Sequence, residues 1–278
     1  MPILLRAVVA GLVVAAAGIL PWSFLAGWNL RVLPAVPWAA VVMALYLWIY
    51  WVWLGGAGWP PGTGEARRRC LRARPLNGDL WGMSLGAGLV GLTALLPLLA
   101  IMGRLVRLPQ EAQPIEAPPG MPFPTVFMLL LMASIVAGVV EEAGFRGYMQ
   151  GPIERRHGVV VAILVNGALF GLGHYNHHPG SVLAMLPFYL AVTAVYGGLA
   201  WATNSILPGI VLHAGGDVFS LGRLWATGQP EWQLTPEPPA LIWESGVDAS
   251  FVLSVAAFAA LGAGAVWAYV GLARAARD

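Results

Sequence analysis

FMLLLMASIVAGVVEEAGFR, residues Phe127 to Arg146, has the length and apolarity of a bilayer-crossing helix, yet it ends in two adjacent carboxylates and an arginine. A carboxylate at membrane depth is costly unless it is paired, solvated in a cavity or neutralised, so intramembrane ionisable residues mark function by default. Glu141 and Glu142 are two such groups in a row. Bracing between helices would need one ion pair and not both.

The surrounding chain fits a membrane setting. It has 278 residues, is 58% hydrophobic and only 10% charged, with a mean hydropathy of +0.72. Soluble globular proteins carry about 25% charged residues. Taking about 20 residues per helical span, eight apolar stretches stand out, at approximately 7–27, 35–56, 80–103, 123–149, 159–176, 182–203, 205–222 and 250–272. The fifth to seventh are short, glycine-rich or interrupted by Pro187 and Pro208. The composition predicts an all-α polytopic membrane protein, a single integral domain over 1–278, with its core spans in 123–222.

All fifteen basic side chains are arginine. With the N-terminus in the cytoplasm, ten of them (Arg6, Arg67, Arg68, Arg69, Arg72, Arg74, Arg155, Arg156, Arg274 and Arg277) fall on the cytoplasmic side. Four (Arg31, Arg104, Arg107 and Arg223) fall on the other. That satisfies the positive-inside rule with both termini cytoplasmic and an even number of spans. Residues 1–26 also carry the basic start and apolar core of a signal peptide, but removing them would put the termini on opposite sides. Segment 60–79 reads as a basic loop against anionic headgroups; without interleaved aromatics it is no nucleic-acid site. Gly82 and Gly86 on the third span, and Ala256, Ala260 and Gly264 on the eighth, are spaced for close helix packing. The single cysteine, Cys70, excludes an intrachain disulfide. It sits among arginines that would lower its pKa, and reads as a bystander.

Three clusters carry the ionisable groups of the spans. Adjacent helical residues point about 100° apart, so Glu141 and Glu142 cannot share one role. Glu142 and Arg146, related by i, i+4, can pair, which leaves Glu141 as the reactive carboxylate. The second cluster is Phe170–His174. Counted from a turn at His157-Gly158, Glu141 and His174 lie equally far along two antiparallel arms, so the spacing predicts equal depth, within a turn if Pro152 kinks the first arm. The third is His213–Asp217, whose i, i+4 spacing puts imidazole and carboxylate on one helix face. His177 and His178 read as interfacial and His157 as solvated. Together Glu141, His174, His213 and Asp217 admit two hydrolytic chemistries: activation of water by a carboxylate–imidazole pair with oxyanion stabilisation, or a bound divalent metal that generates hydroxide.

EExxxR, FxxxH and HxxxD, in that order on separate spans, resemble the three motifs of the CAAX-protease and bacteriocin-processing (CPBP) family of intramembrane endopeptidases, which is similar to the CAAX prenyl proteases of the Abi type. The resemblance covers about residues 123–222. It implies that Glu141 activates the catalytic water with His174 as its partner, that His213 and Asp217 help form the oxyanion site, and that Glu142 and Arg146 are the supporting pair. The prenyl-protein proteases often carry asparagine where this chain has Asp217, and an aspartate donates no hydrogen bond unless protonated. Its role therefore tilts towards orienting His213 or binding metal. The family is described both as glutamate-dependent and as metal-dependent, so Glu141, His174, His213 and Asp217 are also the candidate ligands of a divalent metal such as zinc.

The expected function is an intramembrane peptidase of the cell membrane, cutting a membrane-associated protein or peptide, with no nucleic-acid partner. The fourth, fifth and seventh spans should enclose a hydrophilic cavity, and the resemblance to prenyl-protein proteases favours access from the cytoplasm. Rival readings are a proton- or cation-coupled transporter and a non-catalytic scaffold. Transporters often carry internal repeats, and none is found here; all the ionisable span residues also fall in one half of the chain.

Overall fold

A computed structural model describes residues 2–109, 118, 120–174 and 182–277. The chain folds into helices: α1 (Ile3–Val32), α2 (Trp38–Leu54), α3 (Gly64–Leu71), α4 (Gly78–Leu105) and α5 (Phe123–Glu141). A π-helical stretch, Glu142–Gln150, continues α5 into α6 (Gly151–His157). Then follow α7 (Val159–Gly173), α8 (Val182–Thr203), α9 (Leu207–Thr227), the single turn α10 (Ile242–Ser245) and α11 (Ala249–Ala275). Among the described residues the only extended pairing is the isolated bridge between Ala73 and Ser205.

Each of the eight apolar stretches falls on a helix over its described residues, and the protein is a polytopic helical membrane protein. Among the described residues, five helices are long and apolar enough to cross a bilayer: Ile3–Val32, Gly78–Leu105, Phe123–His157, Leu183–Thr203 and Ala249–Ala275. Eight crossings is more than length and composition support. With 17 and 15 residues, α2 and α7 reach only about 22–26 Å at 1.5 Å per residue, short of a core about 30 Å thick. The third exception, α9, carries His213, Asp217 and Arg223 along its length.

The connections gather at two ends. At the basic end the buried Arg72 joins three segments: its guanidinium meets Glu154 at 3.2 Å and donates to Ala200 O and Asn204 Oδ1, and its carbonyl accepts from Ile206 N–H. The basic loop is therefore partly structural, because Arg67 is buried too, stacked 4.7 Å over Trp53 and bonded to Ala57 O. At the opposite end Arg104 pairs with Asp248, Arg107 with Glu244, and Trp232 donates to Pro109 O. The turn expected at His157-Gly158 is present, with Gly158 at φ +86°.

Packing along the bundle pairs α5 with α9, α7 with α8, α4 with α11, and α1 with the π-helical stretch. The last contact is backbone on backbone: a Cβ added to Gly144 would lie 2.7 Å from Gly11 O. The small-residue faces expected on the third and eighth spans are not the close contacts. A Cβ at Gly82 or Gly86 meets nothing within 4 Å, and Ala256 and Ala260 are exposed. Spacing identified small residues without showing which helix face turned inward; on α4 that face carries Gly88 and Gly91, against Leu212 and Val195.

Candidate active site

The two glutamates end α5 and open the π-helical stretch, both in the bundle interior. Glu142 and Arg146 are fully buried, with Glu142 Oε1 3.2 Å from Arg146 Nη1, as the i, i+4 spacing predicted. The π geometry keeps them on one side, since a wider helix also returns to the same face after four to five residues. The Arg146 guanidinium lies 5.0 Å from the Phe170 ring and 5.2 Å from the Tyr196 ring, where aromatic faces offset part of its desolvation.

Glu142 does more than hold Arg146. Its Oε1 also lies 3.0 Å from His213 Nδ1. A carboxylate accepts, so Nδ1 carries the proton and Nε2 faces the other way. There Nε2 lies 3.7 Å from Glu141 Oε2 and 3.8 Å from Asp217 Oδ2. Both distances are too long for a hydrogen bond. Tyr196 stacks on the imidazole, centroids 5.0 Å apart and planes 9° from parallel. Glu141 is only 9% exposed, and its Oε2 is buried without a hydrogen-bond partner.

His174 caps the end of α7. Its Nδ1 lies 2.7 Å from Phe170 O, and because a carbonyl only accepts, that nitrogen is the donor and Nε2 is the acceptor in the neutral ring. The ring packs on Phe170 and Tyr189, with centroids 4.4 and 4.9 Å away. His174, His213 and Asp217 share the wall of a cavity of about 390 Å³. Glu141 is not on that wall; its Oε2 lies 3.7 Å from the Nε2 of His213, which is on it. His177 and His178 lie outside the described residues, and His157 is exposed, as expected.

The cavity differs from the expected one in two respects. Its walls come from α4, α7, α8, α9 and residues 231–234, and Leu92, Leu95, Leu96, Leu99, Phe188 and Val192 make them largely apolar. A hydrophilic interior was inferred from the ionisable residues, which occupy only one side. The position along the bundle also differs, since the lining runs from mid-helix to Arg223, Glu231 and Leu234 at the end opposite the arginine-rich segments. Other cavities, of about 220 Å³ beside Arg104 and Trp232 and about 1030 Å³ among Arg68, Arg69 and Arg74, lie away from the Glu/His cluster.

Glu231 is a cavity residue that no motif in the sequence marks. It lines the cavity and bonds to Ser220, and burial together with Asp217 pushes its carboxyl up. No local pattern signals this, because α9 and a turn bring it there. Cys70 departs in the opposite sense from its arginine neighbours: burial raises its thiol pKa and outweighs Arg155 and Arg69. Among the described residues, no three His, Cys, Asp or Glu side chains gather to hold a metal ion. Of the four candidate ligands, His213 Nε2 has Glu141 Oε2 at 3.7 Å and Asp217 Oδ2 at 3.8 Å, and His174 stands on the same cavity wall.

A buried Glu–Arg–His cluster beside a cavity in a helical membrane protein defines a class of intramembrane site. Residues 123–219, about a third of the chain, match the family model described as Type II CAAX prenyl endopeptidase Rce1-like. The segment carrying the three motifs is thus similar to the CAAX-protease family they resemble. No curated protein and no solved structure matches the chain.

Proposed function

We propose that the protein is an intramembrane endopeptidase that hydrolyses a peptide bond in a membrane-associated protein or peptide, with Glu141 as the base that activates water. One observation carries the reading: Glu142 is spent on Arg146 and His213, while Glu141 Oε2 is unbonded and 3.7 Å from His213 Nε2.

In this mechanism Glu141 takes a proton from water that His174 Nε2 helps to hold. The resulting hydroxide attacks the scissile carbonyl. His213, fixed through Nδ1 by Glu142, offers Nε2 to the reacting centre, and in its protonated form Nε2–H donates to the developing oxyanion. Asp217 orients that nitrogen and need not donate, which accommodates an aspartate where asparagine is usual. Return of the proton to the leaving nitrogen completes hydrolysis.

The test is time-resolved mass spectrometry of membrane peptides incubated with the purified protein and with Glu141→Gln and His174→Ala variants. Cleavage lost in both, with folding intact, supports the proposal. Retained cleavage by the folded Glu141→Gln protein sinks it.

A further inference from the structure

The cavity and most of the arginines occupy opposite ends of the bundle, and this bears on where a substrate enters. From the wall at Leu92 and Tyr196, near the middle of α4 and α8, the cavity continues to Arg223, Glu231 and Leu234. Residues 228–248 share that end with Arg104 and Arg107 through the Arg104–Asp248 and Arg107–Glu244 pairs. Towards the basic end the cluster is closed. Arg146 and Gln150 are fully buried, Gln150 donates to Gly197 O and Glu154, and Arg72 seals the layer below with Glu154 and Ala200 O. A peptide reaching His213 therefore has its path from the arginine-poor end.

Arginine-rich connections are retained in the cytoplasm. Arg6, Arg68, Arg69, Arg74, Arg155, Arg156, Arg274 and Arg277 are all exposed at the closed end, where anionic headgroups attract them. At the open end Arg31 is exposed, whereas Arg104 and Arg107 are tied to acids and Arg223 is tied to the loop through Pro230 O and Gln233 O.

We propose that the cavity opens to the extracytoplasmic side of the membrane and takes its substrate from there, a peptide or protein segment anchored in or delivered to the outer leaflet. The substrate class rests on the peptidase reading, whereas the side of entry rests on geometry and charge alone. A protein modified and held at the cytoplasmic face would then not reach Glu141. This departs from the cytoplasmic access that the family resemblance favours.

Cysteine labelling decides the matter. In a Cys70→Ser background, single cysteines are placed at Glu237 on the exposed loop, at Gly216 or Ser220 on the cavity wall, and at Ala66 in the exposed part of α3. A sulfonated, membrane-impermeant maleimide is applied to intact spheroplasts and to permeabilised ones. The expected result is labelling of Glu237→Cys and of a cavity cysteine in intact spheroplasts, with Ala66→Cys labelled only after permeabilisation. The reverse pattern overturns the proposal. So does labelling of Glu237→Cys from outside while both Gly216→Cys and Ser220→Cys react only after permeabilisation, or not at all. The readout needs no cleavage: a protein that labels as expected but cuts nothing overturns the peptidase reading and leaves the side of entry standing.

Discussion

His213 Nδ1 lies 3.0 Å from Glu142 Oε1, so the carboxylate that neutralises Arg146 also fixes an imidazole 71 residues away in sequence. One buried group joins the π-helical stretch to α9 and aims His213 Nε2 at Glu141. Removing its charge leaves Arg146 fully buried without a counter-ion, which costs about 3–5 kcal/mol. Glu142→Gln should therefore lower the thermal midpoint in detergent sharply. Adding Arg146→Met should recover part of the loss, because the orphaned charge is gone. A double variant no more stable than Glu142→Gln would show that the pair does not carry the stability.

Glu141→Gln should behave in the opposite way. Its Oε2 makes no hydrogen bond, so the amide loses no folded-state hydrogen bond and the midpoint should hold or rise. Loss of a general base costs about 10²–10⁴-fold in rate. Cleavage should fall by that factor at unchanged stability, measured by peptide turnover and a thermal scan on the same preparation.

Much of this arrangement was legible in the residues. Hydropathy located the helices because burial in lipid demands apolar length, and i, i+4 spacing predicted the Glu142–Arg146 pair because it depends on one helix alone. Counting residues along two arms could not foresee that His213, six residues into α9, would reach Glu142. That contact depends on α9 beginning against Arg72 and Arg74 inside the bundle. The π geometry was equally hidden, since nine residues do not separate a wider helical period from 3.6. Glu231 was invisible for a third reason, because the fold of a loop and not a periodic pattern carries it to the cavity.

Gly209 tests how tightly the cluster is packed. A Cβ there would lie 2.7 Å from Glu142 Oε2, so Gly209→Ala must push the carboxylate off His213 or Arg146. Overpacking of this kind costs about 1–3 kcal/mol, and the midpoint and cleavage rate should fall together. Gly215 on the same helix meets nothing within 4 Å. Gly215→Ala should be neutral, or stabilising by up to about 1 kcal/mol through helix propensity. Equal effects at the two positions would count against a packing origin.

The loop that frames the open end is held by a titratable contact. Asp248 caps α11, accepting from Phe251 N–H and Ser250 Oγ–H, and pairs with Arg104 at 2.6 Å. The Ser250 hydroxyl, Arg104 and the Phe251 amide, in that order, hold its carboxyl below the usual range. A carboxyl depressed in the folded state contributes stability above its unfolded value, about 3.9. That contribution is lost as the pH falls through the folded value. Asparagine also caps helices well, so Asp248→Asn removes the charge and keeps the cap. The midpoint of the wild-type protein should exceed that of Asp248→Asn by a constant margin above about pH 5, and the margin should shrink as the pH drops below about 4. A margin independent of pH would mean that the Arg104 pair contributes through its geometry and not through its charge.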